Sequence, residues 1–87
     1  MVFESDIESS LVNGIEKRGG LCLKFGMDGW PDRIVILPDR VIWVELKRPD
    51  GRVAELQKWR AAQLRKLGFR VEIPWSKEDV VQILESL

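Results

Sequence analysis

Apolar positions recur along this chain at two spacings, and they divide it into seven elements. From Glu4 to Arg18, the residues Ile7, Leu11, Val12 and Ile15 fall on one helix face, and Gly19-Gly20 stops the run. Leu21–Phe25 is a short β candidate. Gly26-Met27-Asp28-Gly29-Trp30-Pro31 reads as a loop by its glycines and proline. Asp32–Leu37 is a second strand, rich in Ile and Val. Pro38-Asp39-Arg40 marks a tight turn, and Val41–Lys47 is a third strand, so strands two and three form a hairpin. After the turn Pro49-Asp50-Gly51, a helix over Val53–Leu67 places Leu56, Trp59, Ala62, Gln63 and Leu67 near one stripe, with Gly68 in the C′ position. Phe69–Ile73 is a fourth strand, followed by Pro74. Ser76 opens a last helix, with Asp79 three residues on as in a capping box and Val80, Val81, Ile83, Leu84 and Leu87 as its apolar side. The order α-β-β-β-α-β-α, with no repeat, linker or low-complexity tract, predicts one layered α/β domain over residues 1–87.

Two segments break the apolar pattern with charge. Pro31-Asp32 sets an acid at the mouth of an Ile/Val strand, and Glu45-Leu46-Lys47 ends a strand that is otherwise Val, Ile and Trp. Residues i and i+2 of a strand share a face, so Glu45 and Lys47 project side by side. The hairpin decides where Asp32 falls. A loop with an even number of residues, pairing Asp32 with Lys47 and Ile34 with Glu45, brings all three charges to one face. An odd loop sends Asp32 to the other face unless a bulge intervenes.

Composition narrows the chemistry. The chain has 87 residues, 14 basic and 14 acidic, with net charge zero, which excludes binding to nucleic acid by bulk positive charge. It contains no His and one Cys, so imidazole catalysis, His-ligated metals, an internal disulfide and a cysteine zinc site are all excluded. Cys22 reads as a buried small hydrophobe. No signal-peptide pattern opens the sequence and no apolar run approaches a membrane span, so an intracellular, cytoplasmic protein is expected. The zero charge is itself a sum of opposed blocks: −3 over residues 1–39, +6 over residues 40–70 and −3 over residues 71–87.

What remains for chemistry is carboxylates, lysines and oxygen-liganded hard cations. Two adjacent carboxylates repel unless a cation lies between them. Mg²⁺ or Mn²⁺ would relieve that repulsion, neutralise phosphate charge and acidify a bound water. Lys47 would orient that water or stabilise charge building on phosphorus. The plain alternative is that strand-end acids and lysines are solvated or paired at the surface.

Gly29-Trp30-Pro31-Asp32, a hydrophobic hairpin, and Glu45-Leu46-Lys47 thirteen residues beyond Asp32 together resemble the PD-(D/E)XK nuclease superfamily. More narrowly they resemble its VRR-NUC branch, in which G-x-P-D and E-x-K are followed by a helix carrying Gln; Gln57 stands in that place. Glu8 in the first helix matches the helical acid of that family and of the Holliday-junction resolvases. The resemblance spans roughly residues 4–75. It implies a restriction-endonuclease-like α/β core, with a mixed central sheet flanked by helices. It implies Asp32 and Glu45 as metal ligands, with the backbone carbonyl of Leu46 as a further ligand and Lys47 as the catalytic lysine. Glu8 would help hold the Mg²⁺ or Mn²⁺, and Gln57 would support the lysine or the scissile phosphate. Glu4 competes with Glu8 for the helical role, though a first-turn acid also complements the helix dipole.

DNA is the partner this implies, with no nucleotide cofactor and no membrane. Lys24, Arg33 and Arg48 adjoin the site and are the first candidates to grip phosphate. Arg52 and Lys58 follow, with Arg60, Arg65 and Lys66 beyond them, unless these simply form a solvated helix face. Trp30 either stacks on a base or packs; Trp43 and Trp59 read as core or interface. Four Trp and three Phe are many for so thin a core, which suggests a covered subunit face. Stand-alone VRR-NUC domains act as symmetric dimers, while those fused into larger repair nucleases carry a helical insertion. Only five residues separate Lys47 from Val53, so the resemblance implies a homodimer that cuts four-way junctions, of a kind suited to a phage or bacterial source. Two other classes compete: a non-catalytic DNA-binding or architectural subunit that keeps the nuclease fold, and a structural interaction domain with no DNA affinity. A glycosidase is remote, since the lysine and the basic block suit phosphate better than sugar.

Overall fold

The sequence folds as a four-stranded sheet with helices on both faces. The computed structural model describes residues 3–47 and 51–87. The element order is α1 (Glu4–Lys17), β1 (Leu21–Lys24), β2 (Arg33–Leu37), β3 (Arg40–Val44), α2 (Glu55–Lys66), β4 (Arg70–Glu72) and α3 (Lys77–Glu85). This is the order expected from the hydrophobic pattern, with strand ends trimmed by one to three residues. The strands lie in the order β1-β2-β3-β4. The first three run antiparallel, and β4 joins β3 in parallel. A parallel neighbour needs a crossover, and α2 supplies it. The expected turn at Pro49-Asp50-Gly51 falls partly outside the described residues, as does Arg48.

Alternation along each strand splits the interior into two cores. On one face, Ile7, Leu11 and Ile15 of α1 and Val80 of α3 pack on Cys22, Val35, Ile42, Val44 and Leu46. On the other, Ala61 and Leu64 of α2 pack on Trp43 and Val71, with Phe25, Trp30 and Ile34 at the margin. Each fully buried Ile or Leu contributes about 1.5–3 kcal/mol relative to leaving it in water. Capping fixes the helix starts. The Asp79 N–H donates to Ser76 Oγ at 3.1 Å, and the Asp79 carboxylate accepts the Trp75 N–H at 2.8 Å. Gly68 follows α2 with φ +92°, as a C′ residue requires.

Two details differ from the pattern read off the sequence. The buried stripe of α2 is Ala61 and Leu64, whereas Leu56, Trp59, Ala62 and Leu67 are exposed. The stripe is rotated by about one residue, near 100° of helix, so that Ala61 and Leu64 meet Trp43 and Val71. The hairpin register also moves. Arg40 belongs to β3, so the loop is Pro38-Asp39, and Leu37 pairs with Arg40, Ile34 with Trp43 and Arg33 with Val44. The ladder ends at Arg33 and Val44; one further step in that register sets Asp32 across from Glu45 rather than from Lys47. The loop is still even, and Asp32, Glu45 and Lys47 keep a common face.

Candidate active site

The loop between β1 and β2 places Asp32. Its ends are clasped by the Phe25 N–H, which donates to the Asp32 carbonyl at 2.8 Å. Inside it, the Trp30 N–H donates to the Met27 carbonyl at 3.2 Å, making a turn. Gly29 occupies φ +79°, and a Cβ there would come within 2.4 Å of Leu56 Cδ2. The left-handed backbone favours glycine, and the Leu56 side chain of α2 occupies the place a Cβ would take. Phe25, Trp30 and Trp43 then stack on one another, with ring centroids 5.0–5.4 Å apart and an edge-on contact between Phe25 and Trp43. Asp32 thus rises from an aromatic base that cannot shift freely.

From there the Asp32 carboxylate reaches across to β3 and accepts the Leu46 N–H at 2.8 Å. The N–H groups on either side point the other way: Glu45 donates to the Glu72 carbonyl at 2.9 Å and Lys47 to the Pro74 carbonyl at 3.3 Å.

Glu45 is 3% exposed. Neither of its carboxylate oxygens has a hydrogen-bond partner among the described residues. Burial first, and then the Asp32 carboxylate beside it, push its pKa up to about 8; Lys47 pulls the other way, and Glu4 adds a little upward. Two ionised carboxylates cannot hydrogen-bond to one another. The pair must share a proton or accept a cation, and hard oxygen donors of this kind fit Mg²⁺ or Mn²⁺. Among the described residues no group of three or more acids is spaced to hold a metal, so the two carboxylates stand as a pair.

A cavity of about 290 Å³ opens beside Asp32, lined by Glu4, Glu8, Lys24, Phe25, Gly26, Asp32 and Leu46. It gathers Glu8, Lys24, Asp32 and Leu46 of the expected set, and both candidates for the helical acid. Glu8 does not turn to the carboxylate pair. Its Oε2 accepts the Arg33 Nε–H at 2.9 Å, and Arg33 also donates to the Cys22 carbonyl at 3.0 Å. Arg33 is only 13% exposed, so the expectation that it grips phosphate gives way to a role inside the fold, holding Glu8 against the sheet. Strand alternation was the missed signal, because Arg33 follows Asp32 and so faces α1. Burial also pushes the Cys22 thiol up, and it stays protonated.

The remaining candidates are dispersed. Gln57 Oε1 accepts the Ala54 N–H at 3.1 Å and so caps α2. Lys58 is exposed and pairs with Glu55 at 3.2 Å. Arg52 is exposed, Lys47 half-buried, and Arg48 lies outside the described residues. Trp30 packs rather than lying open, and one of its ring faces is covered by the Arg60 guanidinium at 4.3 Å.

No family model matches the chain, and no curated protein matches it. Among solved structures, a chain described as a VRR_NUC domain is 29% identical, covers 94% of this chain and 94% of its own length, and superposes with a TM-score of 0.84.

Proposed function

We infer that this chain, a VRR-NUC domain with a nuclease fold, is a divalent-metal-dependent endonuclease that hydrolyses phosphodiester bonds of branched DNA as a homodimer. The observation that carries this is Glu45: a carboxylate with both oxygens buried and, among the described residues, unpartnered, set beside the Asp32 carboxylate, which itself lines an open cavity. Desolvating an unpaired carboxylate is expensive, and a fold retains one where a ligand offsets the cost.

Asp32, Glu45 and the Leu46 carbonyl would hold Mg²⁺ or Mn²⁺, which when bound supplies charge neutralisation for the phosphate and acidifies its water. Asp32 is held to its task by the Leu46 N–H and by the aromatic stack below the loop. Lys47, on the same strand face as Glu45, orients the attacking water or steadies charge on the phosphate. Glu8, anchored by Arg33, shapes the acidic wall of the cavity. Lys24 on its rim, with Arg52 and Lys58 outside it, draws phosphate in. Gln57 acts at a distance, by fixing the start of the helix whose Leu56 braces Gly29. Among the described residues no helix is long and apolar enough to cross a membrane, and we place the reaction in the cytoplasm of a bacterium or a phage-infected cell.

The test is cleavage of a four-way junction and of linear duplex side by side, with Mg²⁺, Mn²⁺ or chelator. Cutting should require metal and fall at least a hundredfold in Glu45→Ala and Lys47→Ala, with junction binding kept in Lys47→Ala. Sedimentation should show two chains per particle. Unchanged cutting in Glu45→Ala would sink the assignment.

A further inference from the structure

Trp59 is the largest side chain the fold leaves open, and the way it is held differs from an ordinary surface residue. It is 55% exposed. The Arg60 guanidinium lies over one face of its ring at 4.9 Å and over the Trp30 ring at 4.3 Å, so the cation is clasped between two indoles. Arg60 is tethered in turn by Gln63, whose Oε1 accepts its Nη1–H at 2.7 Å. Trp30 leans on Phe25 at 5.3 Å, and Phe25 lines the cavity above Asp32. The exposed indole is therefore braced from behind by a stack that continues to the candidate active site. In front of it runs an open groove of about 520 Å³, lined by Trp59, Ala62, Gln63 and Lys66.

We propose that Trp59 is a base-stacking platform, on which an unpaired nucleobase of the DNA substrate lies in the groove along α2, with Lys66 taking an adjacent phosphate. The inference rests on the nuclease reading above and specifies which part of a branched substrate the protein recognises. Three features favour a nucleobase over an apolar side chain. The platform is a flat π-face, which suits any base. Behind it sits the Arg60 guanidinium, and α2 carries Lys58, Arg60, Arg65 and Lys66 against the single acid Glu55, a positive balance that complements a polyanion. Gln63 and Lys66 supply polar groups along the groove at the spacing of one helix face. A fully paired duplex has no base to offer, so the platform distinguishes flaps and single-stranded ends from linear duplex, and engages a junction where the base pairs at its crossover open.

The experiment is DNA binding by fluorescence anisotropy with Ca²⁺ in place of Mg²⁺. It compares a four-way junction, a twelve-nucleotide single strand and a linear duplex. Trp59→Ala should weaken binding to the single strand and junction by about tenfold or more while changing duplex binding less than twofold; Trp59→Phe, which keeps a π-face, should recover most of the loss. Ala62→Glu should reproduce the loss by placing an anion in the groove without touching the stack. Equal losses on all three DNAs, or none on any, overturn the platform. So does a switch from dimer to monomer in Trp59→Ala, which would make this face the subunit contact. Metal-dependent cutting that persists with no effect of Trp59 overturns the platform alone, whereas absence of DNA binding in the unaltered protein overturns it together with the nuclease reading.

Discussion

Glu45 is the residue at which structure and chemistry are most tightly tied. Its ordinary pKa of 4.5 applies in the unfolded chain, and the fold moves it up to about 8. Between those values the native protein binds a proton that the unfolded chain has released, so metal-free stability is highest below pH 4.5 with respect to this group and is lost as pH rises through about 8. The melting temperature in chelator should fall by several degrees from pH 5 to pH 8.5, a Glu45→Gln variant should lose that fall, and Mg²⁺ at pH 8.5 should restore the unaltered protein but not the variant. A flat profile in the unaltered protein would remove the carboxylate pair from the argument. Gly29 gives a second test. Gly29→Ala must place a Cβ at φ +79° against Leu56. It should cost about 1–2 kcal/mol from the backbone alone, seen in denaturant unfolding, and displace Asp32 enough to depress cutting. Adding Leu56→Ala should recover the steric part but not the backbone part. The sequence made Asp32 and Glu45 legible as a pair, because parity along two strands survives a register error of two residues. Glu8 and Arg33 were legible only as charges. That they would satisfy each other depends on how far α1 sits from the sheet, which spacing along the chain does not encode.

At the scale of elements, α2 shows why periodicity alone misplaces a helix. Its stripe of Leu56, Trp59, Ala62, Gln63 and Leu67 has helical spacing and larger side chains than the stripe that is buried. Ala61 and Leu64 are the residues packed on Trp43 and Val71. Leu64→Ala should therefore cost about 2–4 kcal/mol in urea unfolding, while Leu67→Ala should stay within about 0.5 kcal/mol. The reverse order would mean the helix is rolled the other way. The buried face of α1 was legible, since Ile7, Leu11 and Ile15 meet a surface of Cys22, Val35 and Ile42; α3 buries Val80 and Ile83, but Val81 of its expected apolar side is exposed. Of the strand order only the β2–β3 hairpin was legible, and the mixed sheet was implied by the resemblance alone; α2 makes the crossover that sets β4 parallel to β3. What α2 does with its outward face was not legible: a Trp-Arg dipeptide has no sequence signal for a guanidinium clasped between two indoles.

At the scale of the whole molecule, zero net charge and a polyanionic substrate are compatible because the charges are sorted before DNA arrives. Acids are spent within the fold: Glu8 on Arg33, Glu72 on Arg70 and Asp79 on a helix start. Several bases are likewise engaged, with Arg60 clasped by its tryptophans and Arg65 donating to the Val71 carbonyl at 2.8 Å. Among the described residues Lys24, which lines the cavity, and Lys66, which lines the groove, form no ion pair. This division separates two contributions that a single affinity would blur. Phosphate contacts release counterions, so log K should fall linearly with log salt, with a slope of roughly −2 to −4 for a few contacts per chain. Lys24→Ala should weaken junction, single strand and duplex alike and lower the magnitude of that slope by about one, since it removes a charge that reads no base. Trp59→Ala should leave the slope unchanged and alter only the ranking of the three DNAs, since a stacked base releases no ion. Anisotropy titrations from 50 to 300 mM NaCl, run on both variants, measure the two effects independently. A slope that drops in Trp59→Ala as much as in Lys24→Ala would mean that the indole merely positions charge and that the molecule selects branched DNA by its phosphates.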